Sequence, residues 1–451
     1  MRKFLLLFAL TAGLICYLNA FRNDFVWDDQ ALILENPNVQ QPNGFKAFFN
    51  GSIAEGSPRE SPYFRPLYML SFWLDYQIWG AHPLGFHLTN LIFHLLNVWL
   101  LFQLISHLSI RTGSAFFASI FFAVHPALTE SVTSISGRGW LIAGFFLLSA
   151  LLCFVTYREG MMRKNRGWFL AACLFFLLAL LAMEIAMVFP LLVLLYDSMN
   201  RLSEKRHWKQ LFLPHAILWV LLAVFLFLRM FAAGSGWFSY GSLHFDRRLL
   251  TAPLLFWNYL GILLFPGTLR LERTIPFART LADPRALAAW AGILVAAGLI
   301  FYLLRKRRAG LFVFGVLWMT ICFIPTLNVV PLRAMMAEAW LYLPCMGFCM
   351  AVSALLMKGM ERFPRGVGGM AAIWLILLSA RTLVRNTDWR DPLTLYRESV
   401  KASPDSIKMQ YNLAVTYSGL GEYGLSEKEF EKIRTDRARY MRDFNRNFYQ
   451  D

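Results

Sequence analysis

Apolar runs of helix-spanning length recur along this 451-residue chain, and they limit its fold more than any other feature. The runs include 4–20, 86–107, 140–157, 211–231, 286–304, 340–357 and 367–383. A hydrocarbon core about 30 Å thick is crossed by roughly 20 such residues in a helix. Only helices and closed barrels satisfy every backbone polar group there. With 57% hydrophobic and 16% charged residues, the chain carries more apolar surface than a soluble core can bury. The expected class is an all-α polytopic membrane protein.

Charge then sets the topology. The formal net charge is +16, but the basic residues do not form one stripe, and no aromatic stacking platform accompanies them. This argues against a nucleic-acid partner. They sit instead in short loops, at Arg158–Arg166, Arg201–Lys209, Arg305–Arg308 and Lys358–Arg365. The positive-inside rule makes those loops cytoplasmic and puts the N-terminus on the same side. Met1-Arg2-Lys3 and the run after it resemble a signal peptide, but Leu18-Asn19-Ala20 is a poor cleavage site, so the first helix is read as retained.

About eleven spans follow, including shorter runs at 115–124, 168–183, 185–196 and 310–325. Residues 251–266 are apolar but do not fit as a full crossing, and are read as an interfacial or re-entrant helix. The expected division is a membrane domain over 1–383, with a large external loop over 21–85, and an external tail over 384–451. Within the tail, 404–434 has the spacing of one tetratricopeptide-type helical hairpin. A single repeat buries its own face poorly, so it should dock on the membrane domain, a second chain or a protein partner. All six cysteines lie in apolar runs and read as small hydrophobes, with no metal-ligand spacing.

This topology gathers Asp28, Asp29, Arg65, His125, Glu130, Arg138, Glu184, Arg270, Arg273, Arg333 and Glu338 on the outer face. Cations there are not required by the targeting rule. Carboxylates can activate a hydroxyl nucleophile, and arginines hold phosphate by charge-assisted fork contacts. Plainer roles exist: the aspartates as helix caps, Arg138 paired with Glu130, Glu184 capping a turn, and Arg270 and Arg273 as solvated loop charges. In the second span His87, Asn90, His94 and Asn97 share one helix face. Such a stripe normally hydrogen-bonds to neighbouring helices, and no third ligand suggests a metal site.

Several motifs occur in order: FVWDD, YFRPLYMLSFWLDYQIWG, GFHLTNLIFHLLN, HPALTESVTSISGR, MEIAMVFPLLVLLYD, AEAWLYLPCMGF and WRDPLTLYRESVKASPDS. Together, over nearly the whole chain, they resemble the transmembrane-and-tetratricopeptide-repeat protein O-mannosyltransferases of the GT-C superfamily. The resemblance implies a GT-C-type bundle and inverting hexosyl transfer outside the cytoplasm. It implies a polyprenyl-phosphate sugar as donor and a protein Ser/Thr, lipid or glycan as acceptor.

It also implies that Asp28 or Asp29 is the active-site acid of the first external loop, with Glu130 as a second acid. Arg65 and Arg138 then lie near the donor phosphate. Arg270, Arg273 and Arg333 are assigned there too, with His87, His125, Glu184 and Glu338 in support. The chain departs from the family pattern at Met183, where Lys is usual, at Leu128 (His), at Trp140 (an acid) and at Ala339 (Arg). Its one repeat is shorter than the usual array. The sequence leaves a divalent-metal requirement open. A bacterial inner membrane, with the site and C-terminus periplasmic, is the expected setting. A transporter or flippase would place charges within the spans and show an inverted repeat. A catalytically silent scaffold would scatter the outer arginines.

Overall fold

Proline opens many of the helices, because its missing N–H falls among the donors that a first turn leaves unpaired. The computed structural model describes residues 1–49, 63–109, 111–159, 166–201, 208–233, 245–273, 275–278, 280, 282–306, 310–332 and 334–448. Helix α1 spans Arg2–Tyr17, α2 Pro66–Trp79, α3 Pro83–Leu108 and α4 Thr112–Val124. Then come α5 (Arg138–Glu159), α6 (Arg166–Ala182), α7 (Phe189–Arg201) and α8 (Trp208–Ala233). Helices α9 (Phe245–Leu264), α10 (Pro284–Arg305), α11 (Leu311–Phe323), α12 (Tyr342–Arg362) and α13 (Pro364–Thr387) complete the bundle. The tail holds α14 (Pro392–Ala402), α15 (Ile407–Gly419) and α16 (Tyr423–Phe448). Among the described residues the only pairing of the β type is an isolated bridge between Arg273 and Met336.

Each segment read from the sequence as a span falls on one of these helices, and 251–266 falls largely on α9. Among the described residues seven helices, counted with their flanking 3-10 turns, are long and apolar enough to cross a membrane: α1, α3, α5, α8, α10, α12 and α13. Helix α4 joins Pro126–Val132 across a 55° bend to make an eighth. The bend falls at His125-Pro126, where proline cannot continue the ladder. Helices α6 and α11 are apolar but shorter.

The bundle is polarised between centre and rim. Phe102 on α3, Phe122 on α4, Leu147 on α5 and Leu343 on α12 are fully buried. On α10 and α13, by contrast, Leu294 and Ile376 are exposed, which suits helices that face lipid. Helices α11 and α12 touch backbone to backbone at Gly315 and Gly347. A β-carbon on either glycine would sit 2.5 Å from the other's carbonyl oxygen. Small residues allow this close approach.

The polar stripe of α3 hydrogen-bonds to its neighbours as its spacing predicts. The Tyr342 hydroxyl lies 3.0 Å from His94 Nδ1 and accepts from Asn97 Nδ2 at 3.0 Å. His94 Nε2 lies 3.1 Å from the Ala123 carbonyl, and Asn97 also donates to the Leu141 carbonyl at 2.8 Å. These bonds fix α3 against α4, α5 and α12 around the molecule's centre.

The segment after α13 packs against the loop after α1. Leu395 and Met409 pack with Val26, Leu271 and Trp389 in a small apolar core of their own. The Asp24 N–H donates to the Arg390 carbonyl at 2.8 Å. The loop after α1, the segment near 271 and the C-terminal hairpin thus meet at one end of the bundle.

Candidate active site

At that end lies a cavity of about 410 Å³. Its wall is assembled from stretches far apart in sequence: Trp27 and Asp28; Tyr63, Arg65 and Tyr68; Glu130, Ser134, Ser136 and Trp140; Leu271 and Glu272; Met336, Ala337, Ala339 and Trp340; Trp389 and Lys408. Acids, hydroxyls and indole faces share one space, which suits a polyhydroxylated ligand with an apolar face.

The structure divides the paired aspartates. Asp28 is half-buried and lines the cavity. Asp29 is fully buried and turned the other way. Its Oδ2 accepts from the Val26 N–H at 3.0 Å and its Oδ1 from the Ser136 N–H at 2.8 Å, stapling the first loop to the turn before α5. Burial pushes the Asp29 carboxyl up to about 7, against the pull of those two bonds.

Arg65 and Glu184 form a unit. Arg65 Nε lies 2.8 Å from Glu184 Oε2, and its guanidinium stacks 4.2 Å from the centre of the Tyr63 ring. The other oxygen of Glu184 meets Arg229 Nη2 of α8 at 2.8 Å. A carboxylate gripped by two arginines fixes α2, α8 and the turn before α7 together.

A second acid cluster stands at the opposite wall. Glu130 lines the cavity and accepts from the Ala339 N–H at 3.0 Å. Beside it, Glu338 is buried; its Oε1 accepts from the Arg270 N–H at 2.6 Å and lies 3.4 Å from Arg273 Nη2. Arg385 Nη2 approaches Glu338 Oε2 at 3.6 Å. The Nε groups of Arg270, Arg273 and Arg385 are buried without a hydrogen-bond acceptor among the described residues. Buried N–H groups of this kind call for a partner. Because Leu271, Glu272, Ala337 and Ala339 all line the cavity, this cluster stands directly behind its wall.

Three residues assigned to the site from sequence do not line the cavity and are held in packing contacts. Arg138 is fully buried, pairs with Asp75 at 2.5 Å and donates to Asn90 Oδ1 at 2.7 Å and to the Phe86 carbonyl at 2.9 Å. Its guanidinium lies 4.8 Å from the centre of the Phe72 ring and 5.6 Å from that of Phe86, and it does not line the cavity. The plainer alternative, a pairing with Glu130, gives way to one with Asp75. His125 caps its own turn, accepting from the Ala127 N–H through Nδ1 at 3.2 Å, with Nε2 3.0 Å from the Leu263 carbonyl. His87 Nε2 lies 3.2 Å from the Asn23 carbonyl. Arg333 lies outside the described residues.

Sequence reasoning missed Arg229, Arg385, Glu272 and Lys408. Arg229 had a signal, since an arginine inside an apolar run marks a functional position by default. Lys408 had none; its place on the cavity wall depends on how the tail folds back. Among the described residues no three His, Cys, Asp or Glu side chains converge to hold a metal ion.

No protein-family model matches the chain. Several curated proteins align with nearly all of it. The protein O-mannosyl-transferase F38B6.6 of Caenorhabditis elegans is 27% identical over 448 residues, covering 95% of this chain and 61% of that protein. The mouse protein O-mannosyl-transferase TMTC3 is 27% identical over 464 residues, covering 92% of this chain and 48% of that protein. Its relatives are TMTC-type protein O-mannosyltransferases. The chain spans roughly half to three fifths of their length. Among solved structures, that of ArnT from Cupriavidus metallidurans bound to undecaprenyl phosphate aligns with 95% of this chain and 75% of its own, at 12% identity and a TM-score of 0.47. Of the four departures from the TMTC-type pattern, Met183, Trp140 and Ala339 line the cavity and Leu128 is buried away from it.

Proposed function

We propose that this integral membrane protein is a GT-C-type glycosyltransferase that moves a hexose from a polyprenyl-phosphate donor to a hydroxyl of a protein, lipid or glycan acceptor. One observation carries the reading: a single cavity collects Asp28, Glu130 and Arg65, with Glu338, Arg270, Arg273 and Arg385 directly behind its wall. The TMTC-type relatives point to the same chemistry. A silent scaffold gives no reason for buried guanidinium N–H groups to stand unpaired beside a cleft.

In this mechanism the acceptor hydroxyl attacks the anomeric carbon from the face opposite the lipid phosphate. Asp28 takes the hydroxyl proton as the new glycosidic bond forms. The bond from the anomeric carbon to the phosphate oxygen breaks, its electron pair leaves on the phosphate, and the anomeric configuration inverts. Arg65 and the orphaned N–H groups of Arg270, Arg273 and Arg385 stabilise the charge gathering on the departing phosphate, with Arg333 assigned there as well. Glu130 orients sugar hydroxyls.

The site would face the extracytoplasmic side, periplasmic in a bacterial inner membrane. Arg2, Arg158, Arg166, Arg305, Arg362 and Arg365 all lie at the bundle end away from the cavity, where the positive-inside rule puts cytoplasm.

The test is sugar transfer from a polyprenyl-phosphate hexose by membranes carrying Asp28→Asn. Loss of the general base should lower the rate by roughly 10²-fold or more. Full activity in Asp28→Asn membranes would remove Asp28 from this role.

A further inference from the structure

We propose that the C-terminal tail positions the site's acid: Tyr396 and Lys408 hold the backbone turn at Trp27 that directs Asp28 into the cavity. The inference rests on the reading of Asp28 as the base.

The argument starts from a backbone angle. Trp27 has φ +60°, in the left-handed region, where the β-carbon crowds the following carbonyl. The other non-glycine in that region among the described residues is Asn328, a type that tolerates it. A bulky aromatic residue there is an outlier, and it persists only when its surroundings over-determine it.

Those surroundings come from both ends of the chain. On one side the tail supplies the Lys408 ammonium 4.5 Å from the centre of the Trp27 ring, and the Tyr396 ring 6.1 Å away. The neighbouring Val26 packs against Leu395 and Met409 of the same tail. On the other side Asp29 receives the Val26 and Ser136 N–H groups. Asp28 projects into the cavity from between these two clamps.

The tail is itself anchored where this function needs it. The Ser406 hydroxyl caps the N-terminus of α15 and also bonds the Glu272 carboxylate, and the Ser403 hydroxyl donates to the Glu272 carbonyl at 2.9 Å. Lys408 sits within the first turn after that cap, so its ammonium is delivered to Trp27 by a fixed helix end. A hairpin that merely packed for stability would have no need to reach a strained residue adjoining the acid.

The experiment uses the full chain in detergent. In Lys408→Ala and Tyr396→Ala, amides 25–29 should exchange hydrogen faster, and kcat should fall roughly two- to fivefold at unchanged donor KM. Lys408→Arg, which keeps a cation over the ring, should recover most of that rate. In an Asp28→Asn background Lys408→Ala should cost nothing further, because its effect runs through Asp28. Unchanged exchange at 25–29, or a Lys408→Ala loss that adds in full to Asp28→Asn, would overturn the inference. A wild-type protein that transfers no sugar would instead sink the glycosyltransferase reading, and the exchange data alone would then decide whether the tail holds the Trp27 turn.

Discussion

Asp28 and Asp29 are neighbours with opposite fates, and the difference is one of direction rather than chemistry. Burial raises the Asp29 carboxyl to about 7 from a starting value of 3.8, and the charge of Asp28 pushes the same way. Between those values the folded chain keeps a proton that the unfolded chain has released. The folded state therefore binds more protons, and stability must fall as pH rises from about 4 to about 7, by up to roughly 1.4 kcal/mol per unit. Melting temperatures in detergent at pH 5 and 7.5 check this. The wild type should lose more on going to the higher pH than Asp29→Asn, whose side chain cannot ionise; equal losses would refute it. From sequence, the pair was legible as a pair, since two carboxylates at a membrane mouth need a reason. Which one faces the cavity was not, because that depends on Ser136, more than a hundred positions away. The surroundings of Arg138 were hidden for a similar reason: its partner Asp75 is far off in sequence, and a buried guanidinium cannot be told from a ligand-binding one by spacing.

Among the elements, helices were the most legible feature, because an apolar run in a bilayer has one way to satisfy its backbone. The expected spans and the re-entrant segment all coincide with helices. The hairpin's need for a covering surface was legible too; Met409 at its start packs with Val26 and Leu271, while Tyr411, Val415 and Tyr423 stay exposed. The way helices touch was less visible. Gly315 and Gly347 look like any small residues in apolar runs, yet they let α11 and α12 meet backbone to backbone. Helix α12 leads out of the Glu338 turn, so its seating also sets that end of the cavity. Gly347→Ala places a methyl group against the Gly315 carbonyl and the Met319 amide, neither of which can rotate aside. The expected cost is about 1–3 kcal/mol, as for other overpacked sites. Gly298→Ala on α10, where a β-carbon meets nothing within 4 Å, is the matched control and should melt no lower than the wild type. A Gly347→Ala protein that melts with the control would show that the two helices part without cost.

The whole molecule separates its chemistry from its fastening along the bundle axis. Helix α5 shows the arrangement: Trp140 near its start lines the cavity, while Arg158 near its end is buried against Asp197 at 2.5 Å. Eighteen residues of helix put about 27 Å between them. Asp197 of α7 also meets His215 of α8 at 3.0 Å, so one carboxylate ties three helices at the end away from the cavity. Removing one partner of a buried pair leaves the other uncompensated, at about 3–5 kcal/mol. Asp197→Asn should therefore lower the melting temperature in detergent and reduce the yield of folded protein. The fraction that folds should keep the wild-type kcat and donor KM, because no cavity residue touches the cluster. The contrasting variant is Glu338→Gln, which strips the counter-charge from Arg273 and Arg385 beside the cavity and should raise donor KM. If Asp197→Asn instead altered donor KM in folded protein, the two ends would be coupled through α5, α7 and α8, and the site could not be treated as a feature of one membrane face.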